Sequence, residues 1–217
     1  MPIVTPSAAS IGLFAVAATL LLLTPGPAVL YIVARSVEQG RVAGLASVFG
    51  ITTGTLVHVL ASTLGLSALL ASSALAFALV KYAGAGYLIY MGVQRILRRA
   101  ETPASPLKLP RRSLGRLYRD GFIVNLLNPK TALFFLAFLP QFVEPARGAV
   151  PFQIAFLGLL FTLMGLTSDG LYALIAGTAG AWVKRHARYS EWERYVSGSV
   201  FIGLGVTAAL AGGRRLP

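Results

Sequence analysis

Apolar residues run through this chain in long blocks rather than in short alternations. No charged side chain occurs in residues 1–34, and the apolar block at 9–33 is long enough for a helix that crosses a bilayer, which takes about 20 residues. Between Arg41 and Lys81 stand 39 consecutive uncharged residues, too many for one crossing and nearly enough for two. The small, polar stretch at 67–73 divides them into helices at 42–65 and 75–96. A fourth block spans 121–142, bounded by Pro140 and Pro145, a fifth 152–181 and a sixth 195–212. The pattern predicts an all-α integral membrane protein with six transmembrane helices. If the fourth block is re-entrant, five spans remain.

Two of these blocks carry strong helix breakers in their interior. The first holds Thr24-Pro25-Gly26-Pro27 and the fourth Asn128-Pro129-Lys130. Proline lacks an N–H donor and glycine adds backbone freedom. In lipid the freed backbone groups need protein partners or a cavity. A single proline makes a kink; Pro-Gly-Pro reads as an unwound segment lining a cavity. Gly40 precedes Gly50 by ten residues, as Gly148 precedes Gly158. Three spans per half is an odd number, so the halves lie in opposite orientations. Many secondary transporters are built this way, and interrupted helices in matching positions mark their binding sites. The single transmembrane domain, 1–217, then divides into a first three-helix half at 1–97, a basic cytoplasmic linker at 98–119 and a second half at 120–217.

Composition agrees with a membrane setting. The chain is 56% hydrophobic and 12% charged, with a mean hydropathy of +0.73, whereas soluble domains carry about 25% charged residues. Nineteen Lys and Arg against seven Asp and Glu give a net charge of +12, which in a soluble chain would suggest nucleic acid. No basic stripe interleaved with aromatics occurs, so that reading is set aside. The connections after the first, third and fifth helices hold 14 of the 19 basic residues. That bias places these loops in the cytoplasm and both termini outside, with Arg147, Arg214 and Arg215 on the opposite face. There is no cysteine, which excludes disulfides and thiol chemistry. The uncharged start lacks the basic region of a cleavable signal peptide, so the first block is expected to stay as a helix.

Ionisable side chains within spans cost roughly 2.5–3.5 kcal/mol at the bilayer centre and are functional candidates. Four occur here: His58, Lys81, Lys130 and Asp169. Gly50, Gly54, His58 and Ser62 share one helix face, and Phe161, Gly165, Asp169, Ala173 and Gly177 another; such small-residue stripes let helices pack closely. His58 therefore faces the bundle, either as an imidazole satisfied by a carbonyl or as a group that handles protons or substrate. Asp169 is either a structural partner of Lys130 or Lys81, or a group for proton coupling or for pairing with a substrate ammonium. Lys130, beside Asn125, Asn128 and Pro129, could add charge to a carboxylate site formed by a broken helix. Lys81 could instead snorkel to the interface, and Tyr82, Tyr87 and Tyr90 read as packing or interface aromatics.

Taken together, these motifs resemble the LysE/RhtB family of amino-acid exporters. The resemblance rests on Pro25-Gly26-Pro27, on Gly50-x3-Gly54-x3-His58, on Lys81-x2-Gly84-Ala85-x-Tyr87-Leu88 and on Asn125-x2-Asn128-Pro129-Lys130 with Pro140-Gln141-Phe142. It covers nearly the whole chain. The resemblance implies proton-driven export of amino acids across the bacterial inner membrane. The Asn-Pro-Lys form is similar to the homoserine/threonine/leucine branch, which implies a small neutral amino acid or derivative. The substrate site is expected at Thr24, Pro25, Gly26, Pro27, Asn125, Asn128, Pro129 and Lys130. Asp169, His58 and Lys81 are the expected proton-coupling or charge-pairing groups, and Gly50, Gly54 and Gly165 the helix-packing ones. No cofactor is expected, and the partners are the substrate, protons, the lipid bilayer and a possible second copy. The alternatives are an exporter or channel for another small solute or a metal ion, and an intramembrane enzyme. One His and one Asp across the spans make a poor metal site, and no nucleophile elbow, His-x3-His pair or paired Asp motif supports an enzyme.

Overall fold

The computed structural model describes residues 5–66, 74–97 and 111–178, with isolated positions between 199 and 210. Every element among the described residues is helical. Helix α1 (Ala8–Leu23) starts at Ser7, whose hydroxyl accepts a hydrogen bond from the Ser10 N–H at 3.2 Å. It ends at Thr24, where the proline-rich segment interrupts the ladder. Helix α2 (Pro27–Gln39) opens on a proline, tolerated in the first turn because that N–H has no helical partner anyway. The axes of α1 and α2 meet at 51°. Helix α3 (Arg41–Ala61) runs on through a π-type turn at Ser62–Leu66, and α4 covers Ala74–Leu97.

The second broken element has the same plan. Helix α5 (Leu114–Leu126) stops at Leu127, and the short α6 (Pro129–Leu133) again begins on a proline. It continues through a π-type turn (Phe134–Phe138) and a 3-10 turn (Leu139–Phe142), and this bend is 46°. Helix α7 (Val150–Thr178) closes the described part. Among the described residues, two helices are long and apolar enough to cross a membrane, Arg41–Gly65 and Val150–Thr178, and four spans result if each bent pair is one. The predicted division at 67–73 and most of the predicted sixth span lie outside the described residues.

One boundary differs from expectation. The fourth helix begins at Leu114 rather than 121, inside the stretch read as linker. Its first turns are amphipathic: Leu117 is fully buried while Arg116 and Arg119 are exposed. An unbroken apolar run cannot reveal a helix that starts this way.

Glycines set the spacing around α3. A Cβ on Gly50 would stand 2.9 Å from the Phe122 N, one on Gly54 3.0 Å from the Phe122 carbonyl oxygen, and one on Gly121 2.6 Å from the Ser47 oxygen. The backbones of α3 and α5 thus touch, the way helices gain attraction without a hydrophobic drive between them. On the other side, a Cβ on Gly158 would lie 2.8 Å from Val59 Cγ1, bringing α7 against α3. Gly40 (φ 86°, ψ −179°) and Gly148 (φ 76°, ψ −172°) hold nearly the same conformation just ahead of α3 and α7. A side chain there would be strained. Between α1, the turn after α6 and α7 lies an aromatic column, with ring centroids 5.8 Å apart for Phe14 and Phe134 and 4.5 Å for Phe134 and Phe161.

A polar clasp ties the start of α1 to the segment before α7. The Glu144 carboxylate accepts from the Ser10 hydroxyl at 2.6 Å and from the Ser7 N–H at 3.1 Å. Donation from Ser10 first, then Ser7, pulls its pKa from an ordinary 4.5 down to about 2. Gln153 grips the same segment, donating to the carbonyls of Glu144 and Gly148 and accepting from the Glu144 N–H.

Candidate functional site

Both helix breaks open onto one cavity of about 40 Å³, room for about three waters. Its apolar wall comes from Leu21 and Leu22 of α1, Val29 of α2, Ile51 of α3, and Phe161 and Leu166 of α7. Its polar wall comes from Thr52 and Thr55 of α3, Asn125 of α5, Asn128, Lys130 and Thr131 around the second break, and Thr162 and Asp169 of α7. Gly26 brings the first break to the edge.

Lys130 crosses from the second break to the first. Its ammonium donates to the carbonyl oxygens of Leu21 at 2.7 Å and Thr24 at 2.5 Å. These lie at the C-terminal end of α1, where the carbonyls carry partial negative charge and a cation is favoured; the Leu21 carbonyl also accepts from the Thr24 N–H at 3.1 Å. Gly26 leaves room for the lysine stem, since a Cβ there would lie 3.1 Å from Lys130 Cδ. Thr24 turns its own hydroxyl back to the Leu20 carbonyl. Pro25 and Pro27 shape the break without lining the cavity, and Pro129 occupies the first turn of α6.

Asn125 is the hub of a second network. Its amide nitrogen donates to the Ile51 carbonyl at 2.9 Å and to Thr55 Oγ1 at 2.8 Å. Its amide oxygen accepts from Thr131 Oγ1 at 3.0 Å and from Asn128 Nδ2 at 3.5 Å. Asn128 in turn caps α6, accepting from the Lys130 N–H at 3.1 Å. These bonds join α3, α5 and α6 at the break. His58 Nε2 donates to the Asn125 carbonyl at 3.1 Å, and its ring stacks on Phe135 with centroids 6.0 Å apart. His58 stands behind the network and does not line the cavity.

Asp169 faces the cavity from α7 and is 7% exposed, as is Lys130. Lys130 is the charge whose field acts on it, yet no hydrogen bond or ion pair joins the Asp169 carboxylate to another described residue. Gly165 was expected to serve helix packing. A Cβ there would meet only Leu22 Cδ2, at an ordinary 3.5 Å, and Gly165 lines the cavity instead. The Lys81 side chain lies outside the described residues. No cluster of three His, Asp or Glu that could hold a metal occurs among the described residues.

The threonines of the wall escaped sequence reading. Thr52 and Thr55 stand three residues apart, on one face next to the glycine stripe, a spacing that could have drawn attention to them.

Two interrupted helices thus meet at a polar cavity inside an apolar bundle. Residues 19–212 match the LysE type translocators, and the chain belongs to that family. It is 33% identical over 193 residues to the homoserine/homoserine lactone efflux protein of Salmonella typhimurium, covering 89% of this chain and 92% of that protein. The protein of the same name from Salmonella typhi is 32% identical over the same shares. An uncharacterized membrane protein of Vibrio cholerae is 31% identical over 190 residues, 87% of this chain and 91% of that one. No solved structure matches the chain.

Proposed function

We propose that this chain exports a small neutral amino acid or a derivative such as homoserine or its lactone, coupled to proton entry, across the bacterial inner membrane. The observation that carries the proposal is the meeting of both breaks at a cavity where a buried carboxylate, Asp169, has no hydrogen-bonding partner among the described residues. An ammonium group is the complement of such a carboxylate. The first turn of α2, at Ala28 and Val29, lines the same cavity and offers N–H groups to the cargo's carboxyl oxygen. Asp169 exchanges its ammonium partner for a proton on the return stroke. The similarity to proteins named for homoserine and homoserine lactone efflux supports the substrate class.

The two bends of 51° and 46°, and the shared conformation of Gly40 and Gly148, support two inverted halves. The basic loops then face the cytoplasm and the termini the outside. The cavity as it stands is too small for an amino acid, so transport requires the halves to part. Accumulation of homoserine inside energised inverted vesicles, whose cytoplasmic face is outward, tests the reading. Asp169→Asn keeps the side-chain volume and removes the charge, and truncating one partner of a buried charge pair costs about 2–5 kcal/mol, roughly thirtyfold or more in cargo affinity. Homoserine transport by Asp169→Asn that stays protonophore-sensitive and within twofold of the unsubstituted protein would remove Asp169 from the mechanism.

A further inference from the structure

Most polar groups of the cavity wall are already engaged within the protein. Thr55 donates to the Ile51 carbonyl and receives Asn125, Thr131 donates to Asn125, and Thr162 donates to the Gly158 carbonyl at 2.8 Å. Asn125 and Asn128 serve each other and the helix ends, and Lys130 holds two carbonyls of α1. Thr52 is different. On the same helix, Ser47, Thr53 and Thr55 each donate to the carbonyl four residues back, the usual outlet for a hydroxyl in a helix. The Thr52 hydroxyl makes no such bond and none to any other described residue, although it lines the cavity.

We infer that Thr52 is a specificity-determining residue that reads an oxygen atom on the side chain of the cargo, a hydroxyl or the ring oxygen of a cyclic ester. This rests on the amino-acid export reading and deepens it. A hydroxyl both donates and accepts, so it serves an alcohol as well as an ester oxygen. Asp169, from α7, is the other polar group of the wall without a hydrogen bond to a described residue. A cargo with its ammonium at Asp169 and its side chain toward α3 meets Thr52 there. A site built to hydrogen-bond a substrate oxygen rejects the analogue that lacks it, because a buried polar group is then left unpaired.

Homoserine and norvaline differ by a hydroxyl in place of a methyl, and the ratio of their transport efficiencies in vesicles is the readout. The unsubstituted protein favours homoserine. Thr52→Val, which replaces the hydroxyl with a methyl at equal volume, lowers that ratio about five- to tenfold, the size of one hydrogen bond. Thr52→Ser restores it, and Thr52→Ala repeats the fall if the valine variant is not produced. Equal losses of both amino acids in Thr52→Val, or a ratio that Thr52→Val and Thr52→Ala leave within twofold, overturn the assignment of Thr52 alone. Failure of the unsubstituted protein to move or bind either amino acid overturns the export reading and this assignment with it.

Discussion

The two breaks match in sequence character and differ in how their loose ends are satisfied. At the second, Asn128 caps α6 with its own side chain, and Pro129 removes a donor that would otherwise need a partner. At the first, Gly26 offers α2 no side-chain cap, and the carbonyls of Leu21 and Thr24 are held from outside by Lys130. The second break is held by its own cap and by His58 of α3 on the Asn125 carbonyl, and it also serves the first through Lys130. At the first break the α2 end carries no side-chain cap and lies on the cavity wall. The two breaks thus resemble each other in sequence without being satisfied in the same way.

The strongest challenge to this contrast is Lys130→Met. It removes the cation from the Leu21 and Thr24 carbonyls, and a hydrogen bond to a charged group contributes about 1.5–3 kcal/mol. The expected result is a lower melting temperature together with loss of export. A variant that melts like the parent would show that the first break needs no brace. Asn128→Ala is expected to be milder, because loss of an N-cap costs about 1 kcal/mol; denaturation in detergent measures it. If it proved as damaging as Lys130→Met, the cap would matter as much to the second break as the lysine does to the first.

The smallest effect is expected at Glu144, where the clasp joins the first bent pair to the segment ahead of α7. Its pKa is depressed in the folded protein, so its stabilisation is present above its ordinary 4.5 and lost as pH falls through about 2. The melting-temperature gap between the parent and Glu144→Gln should be full at pH 6, narrow between pH 4.5 and pH 2, and close below pH 2. A gap that does not change with pH would mean that the carboxylate's charge plays no part.

Much of this arrangement was legible in the residues. Pro25-Gly26-Pro27 and Asn128-Pro129 announced both breaks, because a missing N–H is a property of the sequence itself. The four-residue spacing of Gly50 and Gly54 announced the close approach to α5. Gly165 misled for the same reason: spacing says that a face is small, not whether a neighbour fills the space. The bonds from the Lys130 ammonium to Leu21 and Thr24 could not be read from the sequence, since no local pattern shows a side chain reaching carbonyls more than a hundred residues earlier. Thr52 was hidden because whether a hydroxyl is already engaged depends on contacts in space. The amphipathic start of α5 carried too many arginines to stand out as part of a span.

Phe161 belongs to two structures at once. It forms part of the cavity wall, and it stacks on Phe134, which meets Phe14 near the start of the chain. Phe134 lies at 27° to Phe161 and at 49° to Phe14. Close-packed side chains leave little slack between neighbours, so the wall of the cavity and the opening turns of α1 form one packed unit, and a change of volume at Phe161 is passed on to Phe14.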